Sequence, residues 1–254
     1  MERKIRVYVT ELIGTFCLVF LTGAVVCAAP MTLQSGWPQF TRWELALADG
    51  CALAVLLTLT ATISEGCLNP AITLMLWVCR RLDGWQTLSL ILLQLAGSLV
   101  AGLALRFVFP EPVLFKSRLG TPHLADALLG DDRTVTWIGL FTGIAVEALM
   151  TFVLTLVIFY TLLDKRTARL GGLYAGLTQI VLTLAAFDLT GAAANPARWF
   201  GPAVWQLNVV SLKATAPFAD NTVYWVGPIV GALLAGLLYT TIIGPPAKRT
   251  EAAS

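Results

Sequence analysis

Ile63-Ser64-Glu65-Gly66-Cys67-Leu68-Asn69-Pro70-Ala71 interrupts an apolar run that begins at Cys51, and Asp188-Leu189-Thr190-Gly191-Ala192-Ala193-Ala194-Asn195-Pro196-Ala197 interrupts a second. After the first break, Ile72-Thr73-Leu74-Met75-Leu76-Trp77-Val78 is apolar but too short to cross a bilayer, so the spacing predicts a half-helix. Asn is a good helix cap, and proline suits the first helical turn, where its missing N–H would have had no intrahelical partner. The second break repeats the design, with Asn195 to Leu207 as its half-helix. The two asparagines lie 126 residues apart, about half the chain. Inside a bilayer such interruptions are costly unless they line a cavity or pack in protein. Two of them at matching places point to a path or site for a polar solute between repeats. The alternative is a pair of capped re-entrant turns that serve packing alone.

The composition says what surrounds these breaks. The 254 residues are 57% hydrophobic and 13% charged, with a mean hydropathy of +0.78, far more apolar than a soluble domain. Six stretches reach or approach the roughly 20 residues that cross about 30 Å of hydrocarbon. They fall near 6–28, 44–64, 85–107, 136–162, 170–189 and 223–244. The expectation is an all-α membrane protein of six transmembrane helices and two re-entrant half-helices. The first stretch is long and carries Glu11, so it reads as a retained span rather than a cleaved signal.

A net charge of +2 argues against nucleic acid as a partner. The placement of the charges is more informative. Arg3, Lys4, Arg6, Arg80, Arg81, Lys165, Arg166, Arg169, Lys248 and Arg249, ten of the seventeen cations, fall on one side of the proposed topology. The positive-inside rule then puts both termini in the cytoplasm, and the compact loops suggest a bacterial plasma membrane. Cys17, Cys27, Cys51, Cys67 and Cys79 lie in or beside spans, without metal spacing, and read as small membrane hydrophobes. No metal cluster and no Ser-His or Cys-His pair falls at membrane depth, so neither an enzyme nor a cofactor is expected.

The chain is internally repeated: Glu11-Leu-Ile-Gly-Thr15-Phe16-Cys-Leu18 aligns with Glu147-Ala-Leu-Met-Thr151-Phe152-Val-Leu154. We expect one domain over 1–254, with repeats at about 6–107 and 136–244 and a disordered tail at about 245–254. Each half holds an odd number of spans, so the second enters from the opposite side, giving an inverted repeat. The half-helices then dip in from opposite faces with Asn69 against Asn195. Each N-terminus carries roughly +0.5 of an elementary charge, so the centre of such a path repels cations. Glu11 and Glu147 are carboxylates in apolar spans, where something must pair with them. Either they couple transport to protons, or they accept hydrogen bonds from the N–H groups of the breaks and hold those loops.

Glycines such as Gly97, Gly102, Gly143 and Gly231 are explained by close helix crossing. Trp43, Trp77, Trp85, Trp137 and Trp225 form an interfacial belt. The connection from Pro110 to Thr136 is polar and holds the sole histidine, His123, read as a solvated loop residue.

Two Asn-Pro-Ala breaks in inverted halves, Arg198 directly after the second, and Glu11 and Glu147 heading the repeats together resemble the aquaporins, the major intrinsic protein family of water and glycerol channels. The resemblance covers essentially the whole chain. It implies a homotetramer of right-handed six-helix bundles in the lipid bilayer, each protomer with its own pore. It also implies that Asn69 and Asn195, of the motifs Asn69-Pro70-Ala71 and Asn195-Pro196-Ala197, donate hydrogen bonds to the passing solute, and that Arg198 stands in the outer constriction.

Carried over by spacing, the other filter positions fall on Asp49, Thr183 and Ala192. Here the sequence departs from the family. Water-selective members have an aromatic residue and a histidine at the first two places, and glycerol channels have aromatics that wall the pore. Thr183 and Ala192 are small and predict a wider filter, while Asp49 is expected either to pair with Arg198 or to sit hydrated in the outer vestibule. Cys67 stands where most members have His, which makes it a candidate pore-lining residue, and Glu65 stands where they have a small residue. Trp199 replaces the Asp usual in glycerol channels, whereas Tyr224-Trp225 looks like the water type. The reading is a passive channel for water and small uncharged solutes that excludes protons and ions. The alternatives are a facilitator of glycerol, urea or undissociated metalloid acids and, from another class, a proton-coupled transporter.

Overall fold

The computed structural model describes residues 2–35, 40–64, 68–130, 134–163, 170–207 and 220–243. Glu65, Cys67 and the tail expected to be disordered lie outside the described residues. The helices are α1 (Glu2–Ser35), α2 (Arg42–Ser64), α3 (Pro70–Val78), α4 (Gly84–Val108), α5 (Glu111–Lys116), α6 (Trp137–Ile158), α7 (Gly171–Thr190), α8 (Pro196–Gln206) and α9 (Asn221–Leu238). α6 and α9 each run on into one wider π turn, Phe159–Leu163 and Tyr239–Ile243. Six of these helices are long and apolar enough to span a membrane, and α3 and α8 are the two half-helices. α1 is longer than the predicted 6–28: it begins at Glu2 and passes Pro30, a residue that removes one helical hydrogen bond without ending the helix.

The contacts show the internal symmetry directly. α1 packs on α2 and α4 as α6 packs on α7 and α9. α3 lies against α4 and α9 while α8 lies against α9 and α4, and the axis relating the halves runs through the α2–α7 and α3–α8 contacts. Exchanging the two halves therefore maps each of these contacts onto another of them or onto itself. At the α2–α7 crossing the backbones meet at glycine: a Cβ on Gly50 would lie 2.4 Å from the Gly176 carbonyl oxygen, and one on Gly176 would lie 2.4 Å from that of Gly50. Only a residue without a side chain permits this approach.

Apolar side chains divide between a buried core and an outer face suited to hydrocarbon. Leu57, Ile72, Leu76 and Phe159 are buried around α3, whereas Phe107, Ile138 and Leu59 point outward. The Pro110–Thr136 connection is not simply a polar loop, as its composition suggests. It folds over one end of the bundle through α5 and two 3-10 turns, burying Val113, Leu114, Leu119 and Leu124. Its apolar residues are spaced along turns rather than on a continuous helix, so their shared face is not legible as a period. Gly120, at φ +68°, lets this cap touch α1, where a Cβ would lie 2.6 Å from the Gly23 carbonyl oxygen.

Candidate conduction site

The two breaks are built alike. Asn69 and Asn195 cap α3 and α8, each side-chain carbonyl accepting from the N–H two residues on, Ala71 at 3.0 Å and Ala197 at 2.9 Å. Pro70 and Pro196 follow as the first helical residues. The residue before each asparagine, Leu68 at φ +40° and Ala194 at φ +46°, lies in the left-handed region, which turns its carbonyl away from its own helix. Those carbonyls receive the opposite asparagine. Asn69 Nδ2 donates to the Ala194 oxygen at 2.9 Å, and Asn195 Nδ2 donates to the Leu68 oxygen at 2.9 Å. Each amide nitrogen carries two hydrogens, so one remains on each asparagine for another acceptor. Both asparagines line the same narrow cavity.

Buried carboxylates hold these strained turns. Glu147 accepts from the Ala193 and Ala194 N–H groups at 3.1 and 2.7 Å and from the Thr190 hydroxyl at 2.6 Å. Glu11 accepts from the Leu68 N–H at 2.9 Å and from Gln94 at 2.7 Å, and Gln94 also reaches Thr73 in the first turn of α3. Both carboxylates are fully buried. The contacts serve the loops on either side of the asparagine pair.

The shared cavity holds about 30 Å³, against the roughly 10–15 Å³ that one water occupies on this measure, so it has room for two or three water-sized molecules. Its lining combines apolar side chains, among them Leu53, Leu57 and Leu154, with the polar Asn69, Asn195, Gln179, Asp49 and Arg198. Beyond it lies an outer cup of about 230 Å³. Among the described residues Arg198 is the one shared by the linings of the lumen and the cup, so it stands between them. Nη1 donates to the Gly120 carbonyl at 2.7 Å, and it is the cap over the bundle that presents this acceptor. The residue is 8% exposed.

Asp49 lines the lumen. It does not form the expected ion pair with Arg198. Among the described residues the ion pairs within 4.0 Å are Arg42–Asp188 and Arg118–Asp126. Asp49 Oδ2 instead accepts from Gln179 at 2.8 Å and Thr183 at 2.7 Å, two donors on consecutive turns of α7 that reach it first. Of the four expected filter residues, Asp49 and Arg198 line the lumen, whereas Thr183 and Ala192 stand behind them. Gln179 takes the inward place, its amide within 3.2 Å of Thr183 Oγ1 and 3.5 Å of the Ala192 carbonyl. The readable signal was a Gln and a Thr four residues apart in an apolar span, which share one helix face.

His123 is not the solvated loop residue its position suggested: it lines the outer cup beside Arg198, Nδ1 3.1 Å from the Thr121 carbonyl oxygen. Burial and the Arg118 charge push its imidazole pKa down. Trp199 stacks on Tyr224 with ring centroids 5.7 Å apart, and the Tyr224 hydroxyl donates to the Thr190 carbonyl at 2.7 Å. The Asp220 carboxylate accepts from the Leu124 N–H at 3.0 Å, and the Ala125 N–H donates to the Leu189 carbonyl at 2.9 Å. The second break is thus tied to the cap and to α9. Cys67, expected to line the pore, lies outside the described residues.

The family described as Major intrinsic protein matches residues 2–239. Among curated proteins, the chain is 31% identical over 242 residues to "Probable aquaporin TIP4-1" of Oryza sativa subsp. japonica, covering 94% of this chain and 87% of that protein. It is 35% identical over 232 residues to "Glycerol uptake facilitator protein-like 6" of Lactiplantibacillus plantarum, covering 91% and 94%. Among solved structures, the aquaglyceroporin from Plasmodium falciparum superposes with a TM-score of 0.77 at 20% identity, covering 94% of this chain and 97% of that one.

Proposed function

This chain belongs to the major intrinsic protein family, and from that premise we propose that it is a passive channel through which water and small uncharged solutes cross the membrane between its half-helices. It is an integral membrane protein and a member of a channel family, not an enzyme. The observation that carries the reading is the reciprocal pair, Asn69 on the Ala194 carbonyl and Asn195 on the Leu68 carbonyl. This pair brings two half-helix N-termini to one lumen. Their spare amide hydrogens donate to a passing oxygen, and the electropositive helix ends with Arg198 oppose cations. Glu11 and Glu147 serve as loop supports, since their oxygens meet N–H groups of the breaks. The same contacts weigh against the proton-coupled reading.

The wall around Asp49 favours a second reading, in which glycerol, urea or an undissociated metalloid acid also passes. Asp49 and Gln179 present acceptors across from the donors of Arg198, an arrangement that suits a solute with several hydroxyl or amide groups. Asp49, Thr183, Ala192 and Arg198 remain the proposed filter, with Gln179 added as the contact that Thr183 and Ala192 hold in place. Stopped-flow light scattering on proteoliposomes tests both readings. Osmotic shrinkage faster than in protein-free vesicles supports the channel, and fast re-swelling in a glycerol or urea gradient supports the wider filter. Saturable flux that follows a pH gradient would contradict both.

We read the chain as one channel domain with repeats at about 6–107 and 136–244, assembled as a homotetramer through its exposed apolar faces. Both termini are placed in the cytoplasm of a bacterial plasma membrane, on the distribution of lysine and arginine and the compact loops. Native mass spectrometry of the purified protein reads the copy number.

A further inference from the structure

At the end of the bundle that holds the start of α1 and the α3–α4 turn lies a cavity of about 300 Å³. It shares no lining residue with the lumen or the outer cup. Arg3 and Lys4 from α1 and Arg81 from the turn converge on it, with Tyr8 and Gln86 adding polar groups. Among the described residues no carboxylate lines it, and none of the three cations makes an ion pair. Asp83, close by in sequence, caps α4 instead, accepting from the Gln86 N–H at 2.8 Å.

The placement of Arg81 is built by the backbone. The Arg81 N–H bonds the Leu76 carbonyl at 2.9 Å and the Arg80 N–H bonds that of Trp77 at 2.8 Å, the paired bonds that end a helix with a left-handed residue. That residue is Arg80, at φ +57°, where glycine is usual. The reversal sends Arg81 to the cavity and leaves Arg80 outside its lining.

The shared fold does not require these charges. By the repeat alignment Arg3, Lys4, Val7 and Tyr8 correspond to Gly139, Leu140, Gly143 and Ile144, and Arg81 corresponds to Leu207. Membrane orientation alone asks only for cations on this side, as Arg6 and Arg80 supply without entering the cavity. Depth and floor then select the ligand. Trp85, exposed beside Gln86, marks headgroup level, and Val7, Ile63 and Leu90 give the cavity an apolar floor. A free phosphate has no use for that floor, whereas a lipid covers it with its glycerol and acyl carbons. We propose that this cavity binds the phosphodiester headgroup of an anionic phospholipid, as basic pockets between transmembrane helices do.

Native mass spectrometry of the intact protein, titrated with phosphatidylglycerol and separately with phosphatidylcholine, tests the site. The wild type is expected to retain phosphatidylglycerol in preference. Arg3→Gln/Arg81→Gln is expected to weaken that retention on the order of tenfold or more, while Arg6→Gln/Arg80→Gln, equal in charge at the same end, changes it by less than about twofold. Equal losses in the two variants, or equal retention of the two lipids, overturns the proposal. Displacement of the lipid by inorganic phosphate at comparable concentration overturns it too, since the site would then read a soluble anion. Wild-type osmotic permeability in phosphatidylcholine vesicles verifies that both variants fold. If the first double variant does not assemble, Arg81→Gln against Arg80→Gln carries the same comparison with the same outcomes.

Discussion

The break before α3 and the break before α8 are one design used twice, and they differ at the third helical residue. Both have an asparagine cap, a proline at the first helical position, a left-handed residue before the cap and a buried glutamate on the loop N–H groups. What they share makes the narrow lumen. At the third position the first half-helix carries Ile72, buried among apolar neighbours, and the second carries Arg198, held by the Gly120 carbonyl between lumen and cup. On the proposed reading, the symmetric pair of helix ends forms the path and the one unmatched guanidinium gives it a selective end.

The largest effect should come from the shared part. Glu147→Ala leaves the Ala193 and Ala194 N–H groups and the Thr190 hydroxyl buried without their acceptor. At about 1–3 kcal/mol for each such group, the fold should lose several kcal/mol, read as a fall in Tm in detergent and a poor yield of assembled protein. A wild-type Tm would mean that the loop does not need its glutamate.

Next comes the difference itself. Removing a unit charge about 6 Å from the path, at an effective dielectric constant of about 20, lowers a cation barrier by roughly 3 kcal/mol, on the order of a hundredfold in rate. Arg198→Ala should therefore raise proton and sodium leak by that order, whereas Ile72→Ala at the matching position should not, both read by dye-loaded proteoliposomes. Equal leaks would place the barrier in the helix ends alone.

A smaller change is expected from Asp49→Phe, which replaces a lumen acceptor with an apolar ring. Loss of one charge-assisted hydrogen bond is worth about 1.5–3 kcal/mol, at least about tenfold, so polyol flux should fall by that order and water flux much less. Parallel losses in both would place Asp49 away from the selective step.

The smallest is a pH effect at Asp220, just outside the span. Burial pushes its pKa up from 3.8 to about 6, against the opposing Leu124 N–H bond. A carboxyl raised in the folded state binds more protons folded than unfolded between these values. Its contribution to stability is therefore greatest below pH 3.8, declines as pH rises through about 6, and is level above that. Asp220→Asn should flatten this part of the Tm–pH curve, and an unchanged slope between pH 4 and 6 would assign it to another group.

Most of the architecture was legible because a bilayer imposes simple rules. Uninterrupted apolar length marks the spans, and Asn-Pro after a break marks each half-helix, since capping chemistry is local. The lining of the proposed filter was legible only in part. Spacing brought Asp49 and Arg198 to the lumen, but the rotation of α7 that turns Gln179 inward and leaves Thr183 behind it depends on the Gly50–Gly176 crossing, a contact between distant residues. The same holds for the cap. Gly120 can hold Arg198 only after the Pro110–Thr136 connection has folded over the bundle, and its turns carry no sustained period.

Water and protons measured together test the two facing helix ends most directly. Proteoliposomes carrying a pH dye, subjected to an osmotic step in the stopped flow, should shrink far faster than protein-free vesicles while an imposed proton gradient decays at the protein-free rate. Shrinkage at the protein-free rate, or proton entry that rises in step with water, would contradict a lumen closed to charge by two facing helix ends.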